Sequence, residues 1–353
     1  MKTLRGYITR IVATRIIGAA AILLAILQIL DLLDVTTDIL DRGLGMPGVL
    51  HYATLRLPRL LEQVLPLSVL AGGLFAFAQL ARESAVIAMR STGVSVYRLL
   101  GMVAPVALCV AVIDYVTVEV IAPRTDPALE AWWRDTAPAS DKTTPARPFR
   151  AGADLVFAKA GDVDGDALSN VLIYRRDAQG RVTERIEAPR AVYADRQWRL
   201  LQPRMVRFTA DEAMTSTAEQ LAWDTRLRPS DVQVLLSPDQ TPSAANARRA
   251  LRGGGSERPA SFYAMRLQQS LAGPLSALVM LLLTLPVALG NFRNSEGAKL
   301  TTFGLAAGLV FMVADGLLVA LGEGGMLSPV LAAWTAPLVA VALATTVLLR
   351  MEG

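Results

Sequence analysis

Few residues in this chain of 353 could do chemistry, and they do not form a catalytic set. His51 is the only histidine and Cys109 the only cysteine, which excludes a histidine-based triad and a histidine- or cysteine-rich metal site. The sequence contains no nucleotide-binding loop of the GxxxxGK type. We therefore expect neither catalysis by this chain nor a metal or cofactor bound to it.

Two carboxylate patterns are the other chemical candidates. Asp162-Val-Asp-Gly-Asp166 resembles the start of a calcium loop but lacks the closing glutamate, so we interpret it as an acidic turn. Asp114 and Asp315 lie inside apolar segments, where a charge is costly, and are expected to face protein or an aqueous cavity. They leave an intramembrane hydrolase open as an alternative, although no paired motif surrounds them.

Arginines occur near one end of the predicted membrane spans. Because a guanidinium binds phosphate through two parallel hydrogen bonds, they favour a phosphorylated amphiphile as ligand. Acidic residues such as Asp31 and Glu62 lie at the same end, so simple pairing of interface charges is the alternative. The candidate substrate-binding residues are Arg42, Arg56, Arg59, Arg124, Arg134 and Arg266.

A short amphipathic segment lies between the second and third predicted spans and ends at a glycine. It fits either a helix on the membrane surface or a helix that docks into a groove of a cytoplasmic partner. In the second case it is a cytoplasmic coupling helix at about 83–97. Its candidate residues for coupling to a cytoplasmic motor are then Glu83, Ser84, Ala85, Val86, Ile87, Met89, Arg90 and Gly93.

Membrane-spanning helices have to position these residues, because 53% of the chain is hydrophobic and its mean hydropathy is +0.40. Basic residues flank the apolar stretches, so the net charge of +4 indicates membrane orientation rather than nucleic-acid binding. The stretches form two blocks of three, at about 16–35, 60–81, 99–121, 271–290, 300–321 and 326–349.

The positive-inside rule predicts the orientation of the spans. Basic residues precede the first span, lie between the second and third, and lie between the fourth and fifth, so these ends belong in the cytoplasm. Both termini are then cytoplasmic, and the polar region after the third span lies on the opposite side of the membrane. The basic residues are Lys2, Arg5, Arg10, Arg15, Arg82, Arg90, Arg98, Arg293 and Lys299.

The polar region favours β-structure, since short alternating segments recur between turn signals. Asp177-Ala-Gln-Gly180 predicts a hairpin turn. The predicted fold class is an α-helical membrane protein with six transmembrane helices (3+3) and an inserted all-β, jelly-roll-like periplasmic domain. The segments lie at 154–158, 170–174, 182–186, 191–194, 198–201, 205–209, 218–223 and 231–236.

The same patterns predict three regions. Residues 1–123 hold the first three transmembrane helices, 124–262 the β-domain with its flanking linkers, and 263–353 the last three helices. The linkers are predicted at 138–148 and 237–259, which are rich in turn-forming residues.

Small residues recur at multiples of four in the fifth span, at Gly304, Gly308 and Gly316. Such a face permits close approach of another helix. We predict a subunit interface there, although the spacing leaves open whether the partner helix belongs to the same chain.

The arrangement of three helices, an outer β-domain, three helices and the loop at 82–93 resembles the LptF/LptG family, the permeases of the lipopolysaccharide export ABC transporter. The resemblance covers essentially the whole chain, and the C-terminal end resembles the LptG side more than the LptF side. Its local carriers are Leu57-Pro58, Leu65-Pro66-Leu67, Gln79 to Gly93, Ile121-Ala-Pro123, Trp198-Arg-Leu200 and Leu348 to Gly353.

The resemblance implies an inner-membrane permease that extracts lipopolysaccharide from the outer leaflet and passes it to a periplasmic β-bridge. It implies an LptF-like permease as heterodimer partner, a cytoplasmic LptB-like ATPase dimer that binds ATP and Mg, and an LptC/LptA-like bridge protein. No nucleic-acid partner is implied. A membrane-anchored receptor or scaffold with a ligand-binding β-domain is the alternative hypothesis.

The chain departs from the family pattern at two places. The coupling helix of the family usually carries a glutamate where this chain has Ala85, so Glu83 or Arg90 is the expected substitute. Family members often carry lysines near the outer end of the first helix, whereas this chain has Asp31, Asp34, Asp38 and Asp41, with only Arg42. Bridging divalent cations, or arginines elsewhere in the chain, are the two alternatives for phosphate recognition.

Overall fold

The computed structural model describes residues 2–83, 96–137, 146–161, 165–177, 179, 181–208, 213–235, 242–288 and 296–352. The chain divides into two compact units, Met1–Ala122 with Gln268–Gly353, and Pro123–Leu267. The first unit is helical, and the second contains the β-sheet.

Nine α-helices and one π-helical turn occur in the described part of the chain. Six of the helical segments are long and apolar enough to cross a membrane, three before the sheet and three after it, which confirms the predicted 3+3 arrangement. The helices are α1 (Lys2–Asp41), α2 (Gly45–Arg82), α3 (Val96–Val116), the π-helical turn (Thr117–Ile121), α4 (Ala122–Asp135), α5 (Pro229–Leu235), α6 (Ala244–Leu251), α7 (Ala260–Ala288), α8 (Glu296–Glu323) and α9 (Pro329–Glu352).

Helix α2 is the central helix of the first unit. The most apolar stretch of α2 is 72% buried within the protein, whereas that of α1 is only 6% buried. A Cβ atom at Gly72 would lie 2.5 Å from the Cα of Ile16 in α1, and one at Gly73 would lie 2.7 Å from Oγ1 of Thr284 in α7. The two glycines therefore allow α1 and α7 to approach α2 on different sides.

Helix α1 is longer than a bilayer requires. Its 40 residues correspond to about 60 Å of helix, and the hydrocarbon core of a membrane is roughly 30 Å thick. Its first turns carry Ile8, Val12 and Ile16 at intervals of four, and all three belong to the buried core shared with α2 and α3. The N-terminal part of α1 is thus packed against protein, while its apolar middle faces outward.

Eight antiparallel strands form one sheet in the second unit. Strand β4 pairs with β3 along one edge, and its other edge is shared by β5 near its end and β6 near its start. Strand β8 pairs with β5, and β7 with β6. The strands are β1 (Arg147–Ala151), β2 (Asp154–Ala160), β3 (Ala167–Arg176), β4 (Val182–Ala194), β5 (Gln197–Leu201), β6 (Arg204–Phe208), β7 (Ala213–Thr217) and β8 (Gln220–Trp223).

Two hairpins fix the register of β3, β4 and β5. The predicted turn after β3 is confirmed, since the Asp177 carboxylate accepts the backbone N–H groups of Gln179 and Arg181, both at 2.9 Å. The Arg181 N–H is the main reason why the pKa of Asp177 is lowered. The turn from β4 to β5 has positive φ at Asp195 and Arg196, as a type I′ hairpin requires, but contains no glycine to signal it.

Two tryptophans form the centre of the β-domain core. Trp198 and Trp223 are cross-strand partners with ring centroids 6.4 Å apart, and both are almost completely buried. Trp198 donates Nε1–H to the Leu227 carbonyl at 3.0 Å, and Trp223 donates Nε1–H to the Asp154 carboxylate at 3.1 Å. Both indole donors are therefore satisfied, as burial demands.

The predicted strand at 231–236 is wrong, because residues Pro229–Leu235 form helix α5. Asp231 in its first turn accepts the N–H of Arg228 at 3.1 Å, and burial raises the pKa of this carboxyl although Arg249 is close. The segments predicted at 182–186 and 191–194 belong to the single strand β4. The prediction missed β1 and β7, and placed a linker where α6 forms.

The close approach of α1 and α2 predicts that an alanine substitution is destabilising at Gly72 but not at Gly18. Gly72→Ala should lower the free energy of unfolding by roughly 1–3 kcal/mol, because the new methyl group meets the backbone of α1. Gly18→Ala is the matched control, since a Cβ there has nothing within 4 Å. Thermal unfolding of the two full-length variants in detergent measures the difference, and equal melting temperatures would contradict the proposed close approach.

The Trp223 hydrogen bond predicts a local effect in the β-domain. Trp223→Phe keeps an aromatic ring but leaves the buried Asp154 without this donor, and should cost about 1–3 kcal/mol of local stability. Hydrogen exchange of the sheet amides in the full-length protein reports that loss. Tyr193→Phe is the control, since no described residue hydrogen-bonds the Tyr193 hydroxyl. Equal protection in both variants would show that the indole donor contributes nothing.

Candidate functional site

Glu83 is the one predicted coupling residue within the described chain, and it is an exposed residue just after the end of α2. Its carboxylate accepts the Tyr7 hydroxyl at 3.3 Å and Nε2–H of Gln79 at 2.9 Å. Gln79 in turn accepts two N–H groups of Arg15, at 3.1 and 2.7 Å. Both oxygens of Glu83 are therefore engaged with the chain itself.

The other predicted coupling residues lie outside the described residues, which end at 83 and resume at 96. Their role in binding an ATPase stays a prediction. They are Ser84, Ala85, Val86, Ile87, Met89, Arg90 and Gly93.

A polar cluster joins α1 and α2 at the ends that the positive-inside rule assigns to the periplasmic side. Nε of Arg56 lies 3.2 Å from Oδ1 of Asp31, and the Tyr52 hydroxyl is close enough to interact with the same carboxylate. One turn further along α2, Nη1 of Arg59 lies 2.9 Å from Oε2 of Glu62. The structure thus supplies two of the six predicted substrate-binding arginines, Arg56 and Arg59, with carboxylate partners, as the charge-pairing alternative expects.

The Arg56 pair nevertheless leaves hydrogen-bonding capacity free. A guanidinium has five N–H donors, and only the Nε–H of Arg56 is bonded within the described residues. The Arg56 side chain is 33% exposed and Asp31 is 15% exposed. Arg56 can therefore keep its bond to Asp31 and still present its two NH₂ groups to a phosphate.

The other four candidate arginines have different surroundings. Arg42 lies in the turn after α1 and is half-buried, whereas Arg124 is exposed on α4. Arg134, in the last turn of α4, has a buried Nε with no hydrogen-bond partner among the described residues. Arg266 is 8% exposed and donates Nε–H to the Pro242 carbonyl at 2.9 Å, which stabilises the polypeptide itself.

These arginines belong to both units of the chain. Arg42, Arg56 and Arg59 lie in the first unit, and Arg124, Arg134 and Arg266 in the second. Their common role in binding a substrate stays a prediction.

Sequence reasoning missed Gln28. Both polar atoms of its amide are buried and have no partner within the described residues. An unsatisfied amide is costly inside a membrane, so Gln28 is an unexpected residue in this apolar stretch of α1. The signal was present in the sequence, because Gln28 is the only polar residue between Ile16 and Leu30.

The glycines of α8 pack mainly within the chain. A Cβ at Gly304 would lie 2.9 Å from Leu74, and one at Gly308 would lie 2.4 Å from Leu70, both on α2. At Gly316 nothing lies within 4 Å. The predicted subunit interface stays a prediction, but the first two glycines already have a reason to be small in the contact of α8 with α2.

An apolar cavity of about 550 Å³ lies between α7, α8 and α9. Every lining residue except Thr335 is apolar, and alanines of α8 and α9 supply much of its wall. In a membrane such a cavity suits hydrocarbon rather than water. Its lining includes Leu283, Phe303, Ala307, Phe311, Ala314, Ala336, Ala340 and Leu343.

Comparisons with known proteins agree with this architecture. The family model described as lipopolysaccharide export system permease LptF/LptG matches residues 6–350. The lipopolysaccharide export system permease protein LptG of Haemophilus influenzae is 27% identical over 286 residues, which cover 76% of each chain. The match extends over nearly the whole chain and includes the six spans and the inserted antiparallel sheet. The chain therefore belongs to the LptF/LptG family of lipopolysaccharide export permeases.

Proposed function

We propose that this chain is one of two homologous permease subunits in an ATP-driven exporter of lipopolysaccharide, and that it occupies the LptG position. A cytoplasmic LptB-like ATPase dimer binds ATP and Mg and drives it. An LptC/LptA-like bridge protein receives the lipid on the periplasmic side. The observation that carries the proposal is the family match over residues 6–350.

We assign ATP hydrolysis to a partner protein because of a motif that the sequence lacks. The chain has no nucleotide-binding loop, so the free energy of ATP hydrolysis has to enter from a partner. The amphipathic segment at about 83–97 lies between two spans on the predicted cytoplasmic side, where a groove of the ATPase can receive it. Both termini lie on that side, and the β-domain lies in the periplasm.

The substrate has two chemically different parts, and the helical unit offers matching surfaces. The NH₂ groups of Arg56, which bond to none of the residues that the structure describes, suit the phosphates of the lipid, and Asp31 keeps this arginine in place at 3.2 Å. Acyl chains need an apolar path, and the cavity between α7, α8 and α9 has an apolar lining. The β-domain then shields the acyl chains from water during transfer.

Affinity purification of the tagged chain from its native membranes tests the proposal. We expect a homologous permease, a cytoplasmic ATPase and lipopolysaccharide to copurify with it. The combined variant Arg90→Glu, Val86→Ser, Ile87→Ser should lose the ATPase, because it disrupts the amphipathic surface of the coupling segment.

The same variant should keep the homologous permease, which serves as its control for folding. Recovery of the wild-type chain without an ATPase, or only with soluble periplasmic proteins, would favour the receptor or scaffold hypothesis. Normal recovery of the ATPase with the variant would overturn the docking assignment alone.

The Asp31 and Arg56 pair predicts opposite effects of two substitutions on lipopolysaccharide binding. Arg56→Gln should weaken binding about 10-fold, the usual effect of losing a hydrogen bond to a charged group. Asp31→Asn should strengthen it, because the asparagine amide oxygen can still accept the Nε–H of Arg56 while the negative charge that repels the phosphate is removed. The double variant should resemble Arg56→Gln. Titration of the purified complex with labelled lipopolysaccharide measures all three affinities.

Arg98→Gln is the matched control, since it removes an equal charge at the start of α3, on the predicted cytoplasmic side. If Arg56→Gln and Arg98→Gln bind the lipid equally well, Arg56 does not contact phosphate. If Asp31→Asn weakens binding as much as Arg56→Gln, the pair only stabilises the helices.

A further inference from the structure

The N-terminal part of α1, residues 4–16, packs on both helices that border the predicted coupling helix. Ile8 and Val12 are completely inaccessible to solvent, and they share one core cluster with Phe77 and Leu80 of α2 and with Met102 and Val103 of α3. The chain runs from the end of α2 to the start of α3 through the coupling segment. This part of α1 therefore contacts both of its flanks.

Polar contacts tie α1 to the first flank, the last turns of α2. Arg15 donates Nε–H and an Nη2–H to the Gln79 amide oxygen, and the amide nitrogen of Gln79 donates to Glu83 at 2.9 Å. Tyr7 donates to the other oxygen of Glu83 at 3.3 Å. Gln79 is suited to this place because one amide both accepts and donates, whereas a carboxylate would only accept.

A separate contact ties α1 to the second flank. Thr9 donates its hydroxyl to the Met102 carbonyl of α3 at 3.0 Å. A backbone carbonyl inside a helix normally accepts only from an N–H group of the same helix. The bond from Thr9 therefore links α3 to α1. Gly72 lets the α1 backbone at Arg15 and Ile16 approach α2 closely, next to the Arg15 bonds with Gln79.

We propose that Tyr7, Arg15 and Gln79 are positioning residues for ATPase coupling, and that the N-terminal part of α1 holds the two flanks of the coupling segment in a fixed relation. The inference rests on the proposed function of that segment. Glu83 then acts through these contacts within the chain and not as an ionic contact with the ATPase. Movement imposed on the segment moves α1 together with α2 and α3.

The double variant Tyr7→Phe, Gln79→Leu tests this role, since it removes the bonds to Glu83 and keeps the side-chain sizes similar. In proteoliposomes with the partner proteins, it should release roughly 2- to 10-fold less lipopolysaccharide per ATP hydrolysed, the factor expected for a hydrogen bond. The amount of ATPase that copurifies should be unchanged. Arg10→Gln is the matched control, because Arg10 is exposed on the same part of α1 without a described contact.

The ratio of lipid released to ATP hydrolysed separates positioning from simple stabilisation. If the contacts only stabilise the fold, less complex forms but the ratio equals that of wild type, and the proposal is overturned. If the wild-type chain recovers no ATPase at all, the proposed function fails instead of this inference.

Two substitutions of Glu83 test how it acts. Glu83→Gln removes the charge but keeps a group that bonds with Tyr7 and Gln79, so it should retain near wild-type coupling. Glu83→Leu removes both bonds and should behave like the double variant. Equal loss of ATPase binding in Glu83→Gln and Glu83→Leu would show an ionic contact with the ATPase and would contradict positioning.

Discussion

The close approach of α1, α7 and α8 to the central helix α2 is the constraint on which the helical unit depends. Gly72 meets the backbone of α1 with no room for a methyl group, and Gly73 lies directly against Thr284 of α7. On α8, Gly308 makes room for Leu70 of α2. Lipid tails are as apolar as leucine, so in a membrane it is packing at such small residues, rather than exclusion of water, that drives helices together.

This packing explains why α1 has two different halves. Its N-terminal part is buried against α2 and α3, whereas its apolar middle is almost entirely exposed. The exposed half nevertheless carries polar groups that face protein, among them Gln28 and the pair of Asp31 with Arg56. In hydrocarbon these groups need partners, and Arg56 of α2 supplies one to Asp31. Helix α1 therefore combines an end buried by apolar packing with a second end whose polar groups turn toward protein.

The β-domain is stabilised in a different way from the helical unit. It lies outside the predicted spans, so water supports hydrophobic burial, and two paired tryptophans form the centre of its core. The Asp154 carboxylate is buried there because Trp223 donates to it and Arg175 lies within 3.4 Å. The long strand β4 branches the sheet by pairing with both β5 and β6 along one edge.

The sequence by itself determined the six spans, the inserted β-domain and the family, because hydropathy, charge flanks and strand alternation are local signals. It also indicated which arginines lie near the interface, but only the tertiary structure decided that Arg56 pairs with Asp31 and that Arg266 bonds to Pro242. The segment predicted as a strand at 231–236 alternates like one, yet its described residues up to Leu235 belong to a helix, since strand pairing depends on distant neighbours. The contacts of Glu83 with Tyr7 and Gln79 likewise require the crossing of two helices, which no local pattern encodes.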